Sequence, residues 1–380
     1  MNDAAHAVWT EDGKTQSALW RSENATKVPQ RIVVADDRLT ADAAYRYACE
    51  GTAMLWRGDY QNARQLLQAM ARRIDKKPAR KPPATLLEAF HLYRQAQLQR
   101  ARILGMLLIP LDAQYTIPLR RAPDVRPACL EAYGETGEDS LVSLRELLGV
   151  IGAHEWRRNG VEIPVLGAKI HPHYGVYSPV RGEYLELVAQ VPLGNRQRAF
   201  DIGTGTGVIA ALLAKRGISH VMATDMDERA IACAQENIRR LGLQKQVEVI
   251  KTDLFPPGKA ELIVCNPPWL PASANSRLDH AIYDPDSRML KGFLNGLAEH
   301  LETGGEGWLI LSDLAEHLGL RSRQQLLQMF ADAGLHVIEK LDIKPRHPKT
   351  ADQSDPLYAA RQAETTSLWV LSASPEKGSG

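Results

Sequence analysis

Residues 199–271 constrain the fold of this chain more than any other segment. They open with Phe200-Asp201-Ile202-Gly203-Thr204-Gly205-Thr206-Gly207 and close with Val264-Cys265-Asn266-Pro267-Pro268-Trp269, with Thr224-Asp225 and Thr252-Asp253 between. The run Arg198-Ala199-Phe200-Asp201-Ile202 has the apolar character of a buried strand, and residues 208–214 read as a helix. Glycines join the two. Glycine reaches backbone dihedrals that side chains forbid and lets a ligand approach closely. The helix start beyond them presents unpaired N–H groups and a positive dipole end, which suits a phosphate or carboxylate. A dinucleotide-binding turn spaces its glycines as Gly-x-Gly-x-x-Gly, which puts the third at position 208. That residue is Val208, and the third glycine is Gly207.

Residues 219–225 read as a second strand ending in Asp225, at the distance beyond the glycines where a carboxylate accepts from ribose hydroxyls. Residues 228–241 follow as an amphipathic helix with Ile231, Ala234, Ile238 and Leu241 on one face. Residues 247–255 form a third strand carrying Asp253. A turn-forming aspartate at a strand end is the plain alternative for either acid. Both in step behind Gly207 favour ligand contact.

Residues 261–265 read as a buried strand that runs into Asn266-Pro267-Pro268-Trp269. The Asn266 amide oxygen and the Pro267 carbonyl can both accept hydrogen bonds from one NH2 group. The prolines fix the direction of that carbonyl. A nitrogen held in this way has its lone pair aimed for in-line displacement at an electrophilic carbon. The accepting oxygens stabilise positive charge growing on it. Trp269 offers a flat face for a planar group. A bare Pro-Pro turn after a strand is the alternative.

Asp201-x-Gly203-x-Gly205-x-Gly207 and Asn266-Pro267-Pro268-Trp269 together resemble the first motif and the acceptor motif of class I S-adenosylmethionine (SAM)-dependent methyltransferases. The resemblance covers residues 170–372. It is to the branch holding the release-factor glutamine methyltransferases and the small-domain ribosomal-RNA guanine and adenine methyltransferases. It implies a Rossmann-like α/β fold with a seven-stranded, mostly parallel sheet carrying one antiparallel strand. It also implies that Asp201, Gly203, Thr204, Gly205 and Gly207 hold the methionine end of SAM. Asp225 and Met226 then lie at its ribose, Asp253 and Leu254 at its adenine, and Asn266 where cofactor and acceptor meet. Asn266, Pro267, Pro268 and Trp269 are the implied catalytic residues.

The implied reaction is methylation of a nitrogen on sp2 carbon in a macromolecule. The glutamine amide of a release factor or other protein is favoured. The exocyclic amine of adenine or guanine in ribosomal RNA, tRNA or DNA is the alternative. A SAM-binding protein without catalysis is disfavoured, because cofactor binding alone does not need the tetrapeptide. The glutamine enzymes usually carry Tyr where this chain has Trp269, and many RNA enzymes Phe, so the fourth position does not choose between substrates.

The 380 residues suffice for two domains, and a net charge of +1 carries no global signature of a nucleic-acid binder. Residues 72–83, rich in Arg, Lys and Pro, read as an exposed connector, with a phosphate-touching patch as the sharper alternative. Cys49, Cys129, Cys233 and Cys265 lack metal-ligand spacing and suit a reducing compartment. No run approaches a membrane span and the first 30 residues hold no signal-peptide core, so a cytoplasmic protein without a membrane partner is expected.

Residues 1–165 are expected to form a mainly helical substrate-docking domain, 166–372 the catalytic domain and 373–380 a disordered tail. Within the first, residues 1–30 read as a loose arm and 31–35 as a short strand. Residues 41–56, behind the N-cap Thr40, and 60–74 read as a helical hairpin. Residues 85–106 read as a helix, 107–111 and 115–119 as proline-bearing edge strands, and 140–156 as a helix. His171 and His173, ahead of a helix at 183–190, have no third metal ligand at useful spacing and read as a turn or lid. Residues 270–286 form a long loop whose Arg277, Asp279, His280 and Tyr283 are candidates for acceptor contact. A helix at 287–301, a strand at 307–312, a helix at 323–333 and strands at 336–343 and 366–371 continue the alternation of a covered parallel sheet.

Overall fold

The computed structural model describes residues 5–76, 83–179, 182–274, 278–346 and 352–373. The chain divides into two compact units, Met1–Ala84 with His91–Glu155, and Thr85–Phe90 with Trp156–Gly380. In chain order the elements up to residue 159 are β1 (His6–Glu11), β2 (Lys14–Arg21), β3 (Arg31–Ala35), α1 (Ala41–Cys49), β4 (Thr52–Trp56), α2 (Tyr60–Asp75), α3 (Leu86–Leu104), β5 (Leu107–Leu111), α4 (Arg126–Tyr133), β6 (Ser140–Ser143) and α5 (Leu144–Asn159). To the expected helices the first unit adds a six-stranded mixed sheet, ordered β1-β2-β6-β5-β4-β3.

Several expectations for this unit are corrected. The loose arm contains a hairpin: β1 and β2 pair antiparallel through Asp12-Gly13, whose φ angles of 50° and 74° suit a two-residue turn. The hairpin buries Ala7, Trp9, Ala18 and Leu19. The helix expected over 41–56 stops at Cys49. Gly51, at φ 78°, turns the chain into β4, buried at all five positions. A strand covered on both faces lacks alternation and reads like a helix, so the pair of helices flanks a strand instead of forming a hairpin. β5 is interior, between β6 and β4. Its ladder to β4 ends at Leu108, so the missing N–H of Pro110 removes no bond there. Residues 115–119 form no strand, and Tyr115 is buried at φ 64°. Residues 140–143 are the strand β6; the helix starts at Leu144, where Ser143 Oγ accepts from Glu146 N at 3.1 Å. Of the basic stretch, residues 77–82 lie outside the described residues, as do Val180, Arg181, Arg277 and everything beyond Ala373.

The second unit begins with an antiparallel ribbon, β7 (Val161–Ile163) and β8 (Ala168–Ile170), then α6 (Glu183–Gln190). There follow β9 (Arg198–Ile202), α7 (Val208–Lys215), β10 (His220–Asp225), α8 (Glu228–Arg240), β11 (Val247–Lys251) and β12 (Ala260–Cys265). The rest is α9 (Arg288–His300), β13 (Leu301–Ser312), α10 (Leu314–His317), α11 (Arg323–Asp332), β14 (Leu335–Ile343), α12 (Tyr358–Ala363) and β15 (Thr366–Ala373). The seven strands are ordered β11-β10-β9-β12-β13-β15-β14. Pairing is parallel except at β15, which runs antiparallel to both neighbours. The expected sheet is present.

Both faces of this sheet are covered. On β12, Leu262 and Val264 join a core with α6 and α7, while Ile263 and Cys265 join a second core with α9 and α11. That division is the period-two alternation of a strand between two layers of helices. The chain leaves β9 for β10 on one side and returns to β12 on the other. The reversal opens a crevice at the carboxyl ends of β9 and β12, where ligands of open α/β sheets bind.

Candidate active site

Beyond β9 the chain turns through Gly203, Gly205 and Gly207 at φ 71°, 55° and 80°. A Cβ on Gly203 would collide with the methyl of Met289, and one on Gly207 would lie 3.2 Å from Ala234 of α8. A Cβ on Gly205 would meet open space. The positive φ angles favour glycine at all three positions; Gly207 is also pressed by α8, the flexible end of Met289 lies over Gly203, and Gly205 leaves room beside the turn. Asp201, only 1% exposed, sits beneath. Its Oδ2 accepts from Thr204 Oγ1 at 2.6 Å and from Ala210 N at 3.0 Å. Its Oδ1 is buried without a hydrogen-bond partner. Burial pushes this carboxyl up to about 6, against the lowering effect of the two hydrogen bonds.

Asp225 ends β10 and is part-buried. Its Oδ2 accepts from Gly205 N and its Oδ1 from Asp227 N, each at 3.0 Å, so the carboxylate braces the glycine turn. Burial raises its pKa. Met226 is 57% exposed beside it. Asp253 is ion-paired with Arg288 at 2.7 Å, both half-exposed. Leu254 adopts φ 66°, and its carbonyl accepts from Thr224 Oγ1 at 2.7 Å. The strand order β11-β10-β9-β12 sets these acids, the glycine turn and Asn266 in line along one edge.

Asn266 follows Cys265, which pairs with Ile202, so it stands beside the glycine turn. Its Oδ1 accepts from Trp269 Nε1 at 2.9 Å. Pro267 is buried, and Asn266, Pro268 and Trp269 are partly so. The Trp269 ring packs against both cores of the unit. Neither Phe nor Tyr has a ring N–H, so the departure at the fourth position was itself the signal for this bond.

Sequence reasoning missed Asn237 of α8. It accepts from His171 N at 2.8 Å and donates to Thr206 O at 3.0 Å, tying the segment ahead of α6 to the glycine turn. His171 Nδ1 contacts Arg157 O at 2.7 Å, and His173 Nε2 contacts Glu236 at 2.7 Å. Burial alone drives the Glu236 carboxyl up, but hydrogen bonds from Arg240, His173 and Arg157 outweigh it and hold the group at about 2. Among the described residues no group of three or more His, Cys, Asp or Glu is placed to hold a metal.

Asp284 was also missed. Both its oxygens accept from the start of α9, Oδ1 from Met289 N and Oδ2 from Leu290 N, each at 3.0 Å. An Asp a few residues ahead of a helical run was the available signal. The loop it ends is structured: Leu270 bridges Tyr283, and two short 3-10 turns cover Leu278–Ala281 and Pro285–Ser287. The Tyr283 ring lies 6.5 Å from that of Phe90, His280 is exposed, and the Asp279 carbonyl caps the Ile282 and Tyr283 N–H groups.

A seven-stranded sheet with this turn, these acids and this tetrapeptide at its carboxyl edge defines a SAM-dependent methyltransferase. The buried, unsatisfied acceptor at Asp201 and the open space at Gly205 fit such a cofactor. A family model described as methyltransferase small domain matches residues 168–335. A protein of Methanocaldococcus jannaschii named as an N5-glutamine methyltransferase is 31% identical over 162 residues, 40% of this chain and 80% of the relative. A tRNA1(Val) (adenine(37)-N6)-methyltransferase of Bacteroides thetaiotaomicron is 31% identical over 40% of this chain and 68% of its own. A release factor glutamine methyltransferase of Cereibacter sphaeroides is 31% identical over 38% of this chain and 56% of its own. The chain belongs to the methyltransferase small-domain family and is a SAM-dependent N-methyltransferase. Among the described residues no helix is long and apolar enough to cross a membrane.

Proposed function

We propose that this enzyme methylates the side-chain amide of glutamine in a protein. The Asn266–Trp269 pair carries the reading. The indole N–H is committed to Asn266 and the ring is partly buried between two cores. That supports a small acceptor held by its edge over a nucleobase stacked on the ring. The near-neutral charge, +1 over 380 residues, points the same way.

SAM, when bound, supplies an electrophilic methyl group on a sulfonium. Asp201 Oδ1, buried and unpaired, accepts from its ammonium. Asp225 keeps a spare lone pair on each oxygen beyond the bonds to Gly205 and Asp227, and these accept from the ribose hydroxyls. Met226, Asp253 and Leu254, beyond the ends of β10 and β11, would hold the adenine end. Asn266 Oδ1 has one lone pair left after Trp269, and the Pro267 carbonyl provides a second acceptor. The two oxygens grip the glutamine NH2, direct its lone pair and stabilise the charge that develops there. The N-terminal unit docks the macromolecule that carries the glutamine.

The second reading, methylation of adenine in RNA, draws on the similarity to the tRNA enzyme, 31% identical. The experiment incubates the full chain with labelled SAM and cell lysate, then hydrolyses the protein and RNA fractions separately. Label recovered as N5-methylglutamine supports the proposal. Label recovered as a methylated base, with none in protein, overturns it.

A further inference from the structure

Arg321, which precedes α11, is 5% exposed, yet its Nε and Nη2 are buried without hydrogen-bond partners. A buried guanidinium left unpaired is costly, because desolvation removes water and nothing replaces it. The nearest charges do not relieve it. The Asp284 oxygens accept from the start of α9, and neither hydrogen-bonds Arg321 Nε or Nη2. Glu316 is held by Arg323 at 2.8 and 3.0 Å. Such an orphan calls for an explanation.

Arg321 lines a cavity of 430 Å³. Its lining includes Ser287 and Pro271, two residues past the acceptor tetrapeptide. Gln325, Gln328 and Asp332, on one face of α11, line it as well. Asp286 and Ser287 hold successive left-handed φ angles of 55° and 54°, a strained pair of non-glycine residues. Two residues further on, the flexible end of Met289 lies over Gly203. The chain that lines the cavity there thus leads directly to the glycine turn.

We propose that this pocket is an acceptor subsite that takes the carboxylate of an acidic residue flanking the methylated glutamine. The inference rests on the glutamine reading above. The two buried nitrogens left without partners, Nε and Nη2, are the side-on fork that matches two carboxylate oxygens. The walls favour polypeptide over nucleic acid. The exposed carboxylates of Asp286 and Asp332 repel a backbone charged at every nucleotide more strongly than the single carboxylate that Arg321 would pair with. Among the described residues no aromatic ring lines the pocket for a base to stack on. Gln325 and Gln328 offer the donors and acceptors that peptide amides need.

The test titrates the full chain, with S-adenosylhomocysteine present, against N-acetylated, C-amidated nonapeptides. Each has a central glutamine and a single glutamate placed at every other position in turn, with the glutamate-to-glutamine isostere as control. At one or more positions glutamate tightens binding about tenfold or more, the size of a charge-assisted hydrogen bond, and R321Q removes that preference. No preference in the wild type, or one that survives R321Q, overturns the subsite. A preference that depends on Arg321, with no methylation of the same peptide when SAM replaces S-adenosylhomocysteine, leaves the subsite standing and counts against the glutamine reading. Displacement of the peptides by an RNA dodecamer that itself loses affinity in R321Q overturns the polypeptide assignment. R321M checks for a structural arginine: the unliganded variant keeps or raises its Tm, and a fall of more than about 5 °C makes Arg321 a stabilising residue and overturns the proposal.

Discussion

Trp269 Nε1 donates to Asn266 Oδ1 at 2.9 Å, so the last residue of the tetrapeptide holds the first. A terminal amide otherwise rotates broadly about its last torsion, and the indole fixes which way its oxygen points. W269F keeps most of the packing and removes the donor. We expect turnover to fall about fivefold, the worth of one neutral hydrogen bond near 1 kcal/mol, with SAM affinity unaltered. Steady-state rates beside calorimetric titration check this, and an unchanged rate would mean that the bond orients nothing.

Asn266 itself separates acceptor positioning from cofactor binding. N266A should lower turnover by about 3 kcal/mol in barrier, as for loss of one preorganised polar contact. SAM affinity should stay within about 0.5 kcal/mol, as for a residue outside the contact. A large loss of SAM affinity would reduce the tetrapeptide to a structural turn.

Asp225 braces Gly205 and, on the proposed reading, the ribose. D225A should weaken SAM by about 1.5–3 kcal/mol, the range for hydrogen bonds to a charged group. Titration with S-adenosylhomocysteine measures the loss, and NAD should give no heat with either protein. Tight NAD binding would contradict the cofactor assignment.

Asp201 makes stability and SAM binding depend on pH in opposite senses. Its folded pKa, about 6, lies above its ordinary 3.8. Its favourable contribution to stability is therefore complete below about pH 4 and is lost as pH rises through about 6. A bound ammonium favours the ionised carboxylate, so SAM affinity should rise over the same window. Calorimetry between pH 5 and pH 7.5 tests it; in D201N the rise should disappear, and a rise that persists would clear Asp201 of the role.

Glu236 has the reverse sign. Held at about 2 against an ordinary 4.5, it contributes fully above about pH 4.5, and the contribution fades as pH falls toward 2. Each unit is worth about 1.4 kcal/mol, which sets an upper limit of about 3.5 kcal/mol; because the glutamine oxygen keeps part of the hydrogen bonding, E236Q should cost on the order of 2–3 kcal/mol at neutral pH and progressively less in acid. Urea unfolding at pH 7 and pH 3 reads the difference. An equal cost at both would place the effect in packing.

The catalytic half was legible from sequence because its periodicities are local. The strand Arg198–Ile202 and the helix Glu183–Gln190 have the ends expected for them, each being a short apolar run closed by glycine, proline or aspartate. The glycine turn and Asn-Pro-Pro-Trp carry their chemistry in consecutive residues, so order and spacing sufficed. In the first unit the same reasoning merged α1 with β4 and β6 with α5, because strands covered on both faces lose the alternation that marks a strand. Asp12-Gly13 was a readable hairpin signal that composition hid. What only the tertiary structure decided is where side chains far apart in the chain end up. Asn237 reaches both His171 and Thr206, and Arg321, beside the cavity that Pro271 also lines, is buried with its Nε and Nη2 unpartnered. Burial and unsatisfied hydrogen bonding belong to the packed assembly of distant segments, and no local pattern encodes them.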